Sequence, residues 1–322
     1  MYTIGIDLGG TNIAVGLVDE NYNIVKKIST PTLASRGPEE ITKDMAALSK
    51  RVCEECGVDI VRDGVKVGIA SPGTVNPKTG LIEYANNIKM RDFPVVKIFC
   101  ENSGVAQENV AIGNDANLAA LGEATKGAAK DAEIAVMITL GTGVGGGVVI
   151  DGKVLTGCAF GGAELGHMVI EYGGRACSCG RKGCFEAYSS ATALVALTRE
   201  KFAETRSPIM AEMCEGDINK IGGKTAFAAM RKGDATGAAV VDYYIKHLAC
   251  GVANLVNIFQ PDVLLIGGGV CNEGDPLLLP LKAEVAKEVY SADDKLKTDI
   301  RIATLGNDAG IIGAAALVNS AK

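Results

Sequence analysis

Asp7-Leu8-Gly9-Gly10-Thr11-Asn12-Ile13-Ala14-Val15-Gly16-Leu17-Val18-Asp19 returns, at a constant offset of 132, as Thr139-Leu140-Gly141-Thr142-Gly143-Val144-Gly145-Gly146-Gly147-Val148-Val149-Ile150-Asp151. Each copy reads as an apolar strand, a Gly/Thr-rich turn, a second apolar strand and a closing aspartate. One supersecondary unit used twice predicts two similar domains whose turns face a common cleft. Turns of this composition expose backbone N–H groups and threonine hydroxyls, which suit an anion such as a polyphosphate. The copies differ where chemistry would matter: Asp7 in the first is Thr139 in the second. Only the first turn therefore carries a carboxylate able to hold Mg²⁺ through water.

Outward from the repeat, the pattern is that of an α/β chain. A third strand is expected over Asn23–Ile28, a helix over Pro38–Cys56, and a strand over Val65–Ala70 running into the turn-rich Ser71–Asn76. Phe93-Pro94-Val95 opens a short helix; Val110–Ile112 is a strand, and Gly113–Asn117 leads into a helix over Leu118–Lys126. That places Asp115 at or near a helix N-cap, a common structural use of aspartate. Its position at the end of a strand, where α/β folds keep their chemistry, makes it a catalytic candidate as well. Later helices are expected over Ser189–Glu204, Lys224–Arg231, Asp234–Phe259, Pro276–Tyr290 and Ala309–Val318, with Thr205–Gly223 irregular. The continuous apolar run Pro261–Ile266 predicts a buried parallel strand, and Asp299–Ala303 another. Between them, Gly267-Gly268-Gly269 is a third glycine turn, suited to close contact with a flat ring or ribose. The tail after residue 318 is simply polar.

A second dense stretch lies between the halves. Gly161-Gly162-Ala163-Glu164-Leu165-Gly166-His167 and Cys177-Ser178-Cys179-Gly180-Arg181-Lys182-Gly183-Cys184-Phe185-Glu186 hold three of ten cysteines and one of two histidines. Three thiolates and an imidazole form a closed tetrahedral Zn²⁺ set, structural because no position stays open for water. Such a site fixes its neighbours Glu164 and Glu186, carboxylates able to accept hydrogen bonds from sugar hydroxyls. Loss of the metal is then expected to impair sugar binding more than nucleotide binding. Cys53 and Cys56 form a C-x-x-C without partner ligands and read as ordinary helix residues; His247 reads as a core-edge residue.

Composition narrows the function classes. At 322 residues the chain can hold two domains, and a net charge of −6 argues against a nucleic-acid or anionic-membrane surface. No secretory signal or ~20-residue apolar span is visible. With unpaired-looking cysteines this predicts a cytoplasmic protein.

Together the motifs resemble the ROK family of sugar kinases, within the actin-like, ribonuclease-H-like ATPases, over essentially the whole chain. Gly166-His167 with Cys177-x-Cys179-Gly180-x-x-Gly183-Cys184-x-Glu186 is similar to the family's zinc signature. The resemblance implies two actin-like domains flanking a central cleft: 1–115 with 307–322, and 116–306 with the zinc segment. It implies ATP-dependent phosphorylation of a hexose at its 6-hydroxyl, glucose first, with N-acetylmannosamine, allose or fructose as alternatives. Asp115 matches the general base. Gly73, Asn87, Asn114, Glu164, His167 and Glu186 match sugar-binding positions, and His167, Cys177, Cys179 and Cys184 the zinc ligands. Asp7, Gly9, Gly10, Thr11, Asn12, Gly141, Thr142, Gly143, Gly268 and Gly269 match the positions for ATP and its Mg²⁺. Where the family usually carries tryptophan this chain has Met90, a departure that bears on sugar preference. A homodimer or tetramer is the family expectation. A sugar-responsive regulator is disfavoured because Asp7 stands too near the start for a preceding DNA-binding module.

Overall fold

The computed structural model describes residues 2–290 and 297–320; the polar tail's last two residues lie outside this range. The chain falls into two compact units. One comprises Met1–Glu133, Gly147–Ala163 and Thr304–Lys322; the other comprises Ile134–Gly146 and Glu164–Ala303.

In chain order, the first unit begins with β1 (Thr3–Leu8), β2 (Asn12–Val18), β3 (Ile24–Pro31) and helix α1 (Pro38–Glu54). Then come β4 (Lys66–Ser71), a small hairpin sheet of β5 (Thr74–Asn76), β6 (Leu81–Ala85) and β7 (Met90–Phe93), and α2 (Val95–Ser103). β8 (Val110–Asn114) runs directly into α3 (Asp115–Lys126). The main sheet has the order β3-β2-β1-β4-β8, with β1, β4 and β8 parallel.

β9 (Ile134–Leu140), β10 (Val144–Ile150) and β11 (Lys153–Val154) follow, and the division between the units falls within β10. The other unit continues with α4 (Glu186–Ser189), α5 (Ala191–Thr205), α6 (Pro208–Met213), α7 (Thr225–Arg231), α8 (Ala235–Phe259), β12 (Val263–Gly267), α9 (Asp275–Glu288) and β13 (Asp299–Ile302). The chain closes with α10 (Ala309–Ser320) in the first unit. The second sheet has the order β11-β10-β9-β12-β13, the same path as the first. The internal repeat is thus structural: at the offset of 132, β2 maps onto β10 over its full length and β1 onto all of β9 but its first residue. β12, buried at every position, is parallel to both its neighbours, as its unbroken apolar run requires.

Asp115 stands next to the N-cap of α3, as expected: the cap is Asn114, whose Oδ1 accepts the Asn117 N–H at 3.1 Å, and Asp115 is the first helical residue. One local expectation needs correction. The stretch 205–223 is not irregular throughout, because Ser207 caps the six-residue α6 with Pro208 at its first turn.

One packing feature sets the site. Gly16, Gly5 and Gly68 are cross-strand partners on β2, β1 and β4 and form a bare row across the sheet. α10 lies against it so closely that a Cβ on Gly68 would sit 1.8 Å from the Ala314 carbonyl oxygen, and one on Gly5 2.0 Å from that of Ile311. The fully buried Glu123 on α3 fastens the chain ahead of α10: its carboxylate accepts the N–H of Leu305 at 2.7 Å and of Ala128 at 2.8 Å. A buried carboxylate is tolerated because backbone donors replace its water.

Candidate active site and metal knuckle

In the first unit the candidate residues gather at the ends of the parallel strands. Asp7 is the penultimate residue of β1, and α10 arrives so near that a Cβ on Gly310 would lie 2.8 Å from its carboxyl carbon. Burial, and secondarily the charge of Asp115, push the Asp7 carboxyl up to about 6. Two half-buried carboxylates near enough for one to feel the other's charge offer hard oxygen donors whose repulsion a divalent cation would relieve.

The turn Gly9–Thr11 is closed by Gly9 N–H donating to the Asn12 carbonyl at 2.9 Å. It is braced by the fully buried Thr32, whose hydroxyl donates to the Gly9 carbonyl at 2.7 Å and whose N–H donates to that of Thr11 at 2.8 Å. No local signal marks Thr32 as functional; the pairing of Asn12 with Pro31 puts it there. Asn87 flanks the same turn, its Cβ 3.4 Å from where one on Gly10 would be. Asn114 joins another pair of expected sugar-binding positions, since its amide nitrogen donates to the Gly73 carbonyl at 3.0 Å. The side chain of Asp115 accepts its neighbour Ala116 N–H at 2.8 Å.

In the second unit the cysteine segment folds as a knuckle. Ala176 pairs with Lys182 and Val169 with Cys184, so two short antiparallel bridges bring the thiols around. Gly183 makes the reversal possible: its φ is 80°, and a Cβ there would lie 1.7 Å from the Glu171 carbonyl oxygen. The ligand atoms of His167, Cys177, Cys179 and Cys184 all lie within 4.8 Å of one another. Cys177 Sγ is 3.7 Å from His167 Nδ1, and Cys179 Sγ 3.6 Å from Cys184 Sγ. Ligands bound tetrahedrally to zinc stand roughly 3.5–3.8 Å apart, so the set fits that ion. The Arg181 backbone N–H lowers the Cys179 thiol pKa, while burial pushes Cys184 up to about 12.

Glu164 is exposed just ahead of the turn that carries His167, whose N–H donates to its carbonyl at 3.0 Å. Glu186, first residue of α4, accepts the Val144 N–H at 3.0 Å and the Ser178 hydroxyl at 3.1 Å. Its carboxylate therefore touches the second glycine turn, Gly141–Gly143, as well as the knuckle. The third turn comes to the same place: a Cβ on Gly268 would lie 2.4 Å from the Leu140 carbonyl oxygen, at the end of β9. His247 is half-buried and stacks on Tyr188 and Tyr243, at centroid distances of 4.8 and 4.1 Å, away from any ligand role. Cys53 is buried in α1 and Cys56 lies just past its end, both as free thiols.

The sequence profile of the ROK family matches residues 3–321. The chain belongs to the ROK family. It is 40% identical over 324 residues to a glucokinase of Halalkalibacterium halodurans, covering 98% of this chain and 94% of that protein. It is 30% identical over 318 residues to an N-acetylmannosamine kinase of Salmonella typhi, covering 98% of each. The solved ROK glucokinase of Streptomyces griseus, in complex with glucose and AMPPNP, superimposes with a TM-score of 0.80 at 32% identity, covering 98% of this chain and 99% of that one. The duplicated sheets of this ROK protein are accordingly those of the two-domain actin-like ATPase fold. Among the described residues no helix is long and apolar enough to cross a membrane.

Proposed function

We propose that this ROK protein transfers the γ-phosphoryl group of ATP to the 6-hydroxyl of a hexose, with glucose as the preferred acceptor. The observation that carries the reading is the pair Asp7 and Asp115, one next to last in β1 and the other opening α3 at the end of β8, close enough for the charge of one to raise the pKa of the other. The 40% identity to a glucokinase supports glucose. The similarity to an N-acetylmannosamine kinase keeps that amino sugar as the second acceptor to test.

Phosphoryl transfer asks the protein mainly for positioning and charge neutralisation. Asp115 orients the acceptor hydroxyl and takes its proton as the O–P bond forms, a contribution of about 10²–10⁴-fold for a placed base. Gly73, Asn87, Asn114, Glu164, His167 and Glu186 are the positions that would hydrogen-bond the sugar. Backbone N–H groups of Gly9–Thr11, leading into Asn12, and of Gly141–Gly143 hold the phosphates, with Gly268 and Gly269 against the nucleoside. Asp7 would hold Mg²⁺, which neutralises phosphate charge when bound. His167, Cys177, Cys179 and Cys184 would hold Zn²⁺, which stiffens the knuckle and takes no part in the chemistry. We also read the two units as the two functional domains, and the protein as a cytoplasmic homodimer. Ten free thiols suit a reducing compartment.

A coupled ADP-release assay with ATP and Mg²⁺ across hexoses and amino sugars ranks the acceptors directly. Glucose should give the highest kcat/KM, and Asp115→Asn should lose about 10²-fold or more in kcat while still binding glucose. An Asp115→Asn enzyme with near-native kcat would end this assignment.

A further inference from the structure

The two glycine turns of the repeat are held in different ways. The first is braced by Thr32 and flanked by Asn87. The second is gripped on three sides by the metal-knuckle segment and the helices that follow it. Glu186 Oε2 accepts the Val144 N–H at 3.0 Å. A Cβ on Gly166, the neighbour of His167, would lie 2.0 Å from the Val144 carbonyl oxygen. The Gly141 carbonyl accepts the Ala191 N–H at 2.9 Å, at the start of α5. The fit around Glu186 is tight, since a Cβ on Gly143 would fall 2.2 Å from Oε2. On its other side Oε1 takes the Ser178 hydroxyl at 3.1 Å, and Cys177 Sγ stands 3.6 Å away. Ser178 sits between two of the zinc ligands, Cys177 and Cys179.

We infer that Glu186, steadied by Ser178, is a strut through which the metal knuckle sets the shape of the second glycine turn, so that nucleotide affinity depends on the metal. This rests on the reading of Gly141–Gly143 as a phosphate-holding turn. It departs from the sequence-based expectation that metal loss bears chiefly on the sugar. The physical reason is rigidity. Oriented N–H groups bind phosphate well only if they are already in place, and a carboxylate anchored at both oxygens supplies that placement. A metal that organises the cysteine hairpin also fixes Ser178, and through it the free rotation of the Glu186 carboxylate. Ser178 is a positioning residue, acting through its hydrogen bond to Glu186 Oε1.

The test measures AMPPNP affinity by calorimetry without sugar, and glucose affinity without nucleotide. It compares the native protein, the native protein stripped of zinc by chelation, Ser178→Ala, Ser178→Thr and Glu186→Ala, with zinc content determined for each. Ser178→Ala should weaken AMPPNP binding about 3- to 10-fold at unchanged zinc content, the scale of one hydrogen bond. Ser178→Thr restores the hydroxyl and should return affinity to within about twofold of native. Chelation should weaken AMPPNP binding at least as much as Ser178→Ala. If Glu186→Ala does not fold, the Ser178 pair and the stripped native protein carry the comparison. Native-like AMPPNP affinity in both the Ser178→Ala and stripped proteins would overturn the strut, even with glucose affinity reduced. Failure of the native protein itself to bind AMPPNP would instead remove the kinase reading on which the strut rests.

Discussion

Asp7 shows what burying a carboxylate costs in stability. Its carboxyl stands at about 6 instead of the ordinary 3.8, chiefly from burial and then from the charge of Asp115. Below the unfolded value the side chain is neutral in folded and unfolded chains alike and imposes no penalty. Between pH 3.8 and about 6 the folded state alone retains the proton, so stability falls as pH rises through that window and is level above it. Asp7→Asn should therefore match the native Tm near pH 4 and exceed it at pH 7.5, measured without nucleotide or Mg²⁺, while losing turnover. A native protein that melts as high as Asp7→Asn at pH 7.5 would show that Asp7 bears no such cost. The candidate role of Asp7 was legible in the sequence, as an acid present in one copy of a repeat and absent from the other. Its neighbour Gly310 belongs to the far end of the chain, and only packing brings the two together.

At the scale of elements, the decisive contact is α10 on the glycine row of β2, β1 and β4. A methyl group at position 68 would stand 1.8 Å from the Ala314 carbonyl oxygen and 2.3 Å from its carbon, a clash with backbone that no rotamer can relieve. Gly68→Ala should thus cost about 1–3 kcal/mol or more and lower the Tm by several degrees. Gly222→Ala, at an exposed position with open space around it, is the control and should leave the Tm unchanged. Equal melting of both variants would mean that α10 can shift without cost. The strands and long helices followed from apolar periodicity, because alternation and a 3.6-residue stripe are local properties. α6 was missed although Ser207-Pro208 is a helix start, since six residues are too few for a periodic pattern to stand out. The cap of α3 falls on Asn114, directly before Asp115, which leaves the Asp115 side chain outside the capping bond.

For the molecule as a whole, a metal bound in the knuckle would concentrate stability in the unit that holds its ligands. Zinc in small modules contributes on the order of 10 kcal/mol of folding free energy, so its loss should be felt first where the ligands are. Hydrogen exchange after chelation should accelerate across 164–190 and in the turn Gly141–Gly143, and stay near native in the sheet β3-β2-β1-β4-β8. Uniform acceleration over both units would contradict that localisation.

The repeat, the four candidate metal ligands and the two aspartates were written in the chain, because each depends on residue type at a fixed spacing and on local conformation. The sequence determined that much by itself: an α/β chain built on one hairpin used twice, with a thiol-rich segment beside the second copy. Only the tertiary structure decided how the second turn is held by Glu186 and Gly166, how Thr32 braces the first, and how α10 reaches Asp7. Those contacts join residues far apart in the chain, and they exist because close packing brings backbone onto backbone wherever glycine leaves room.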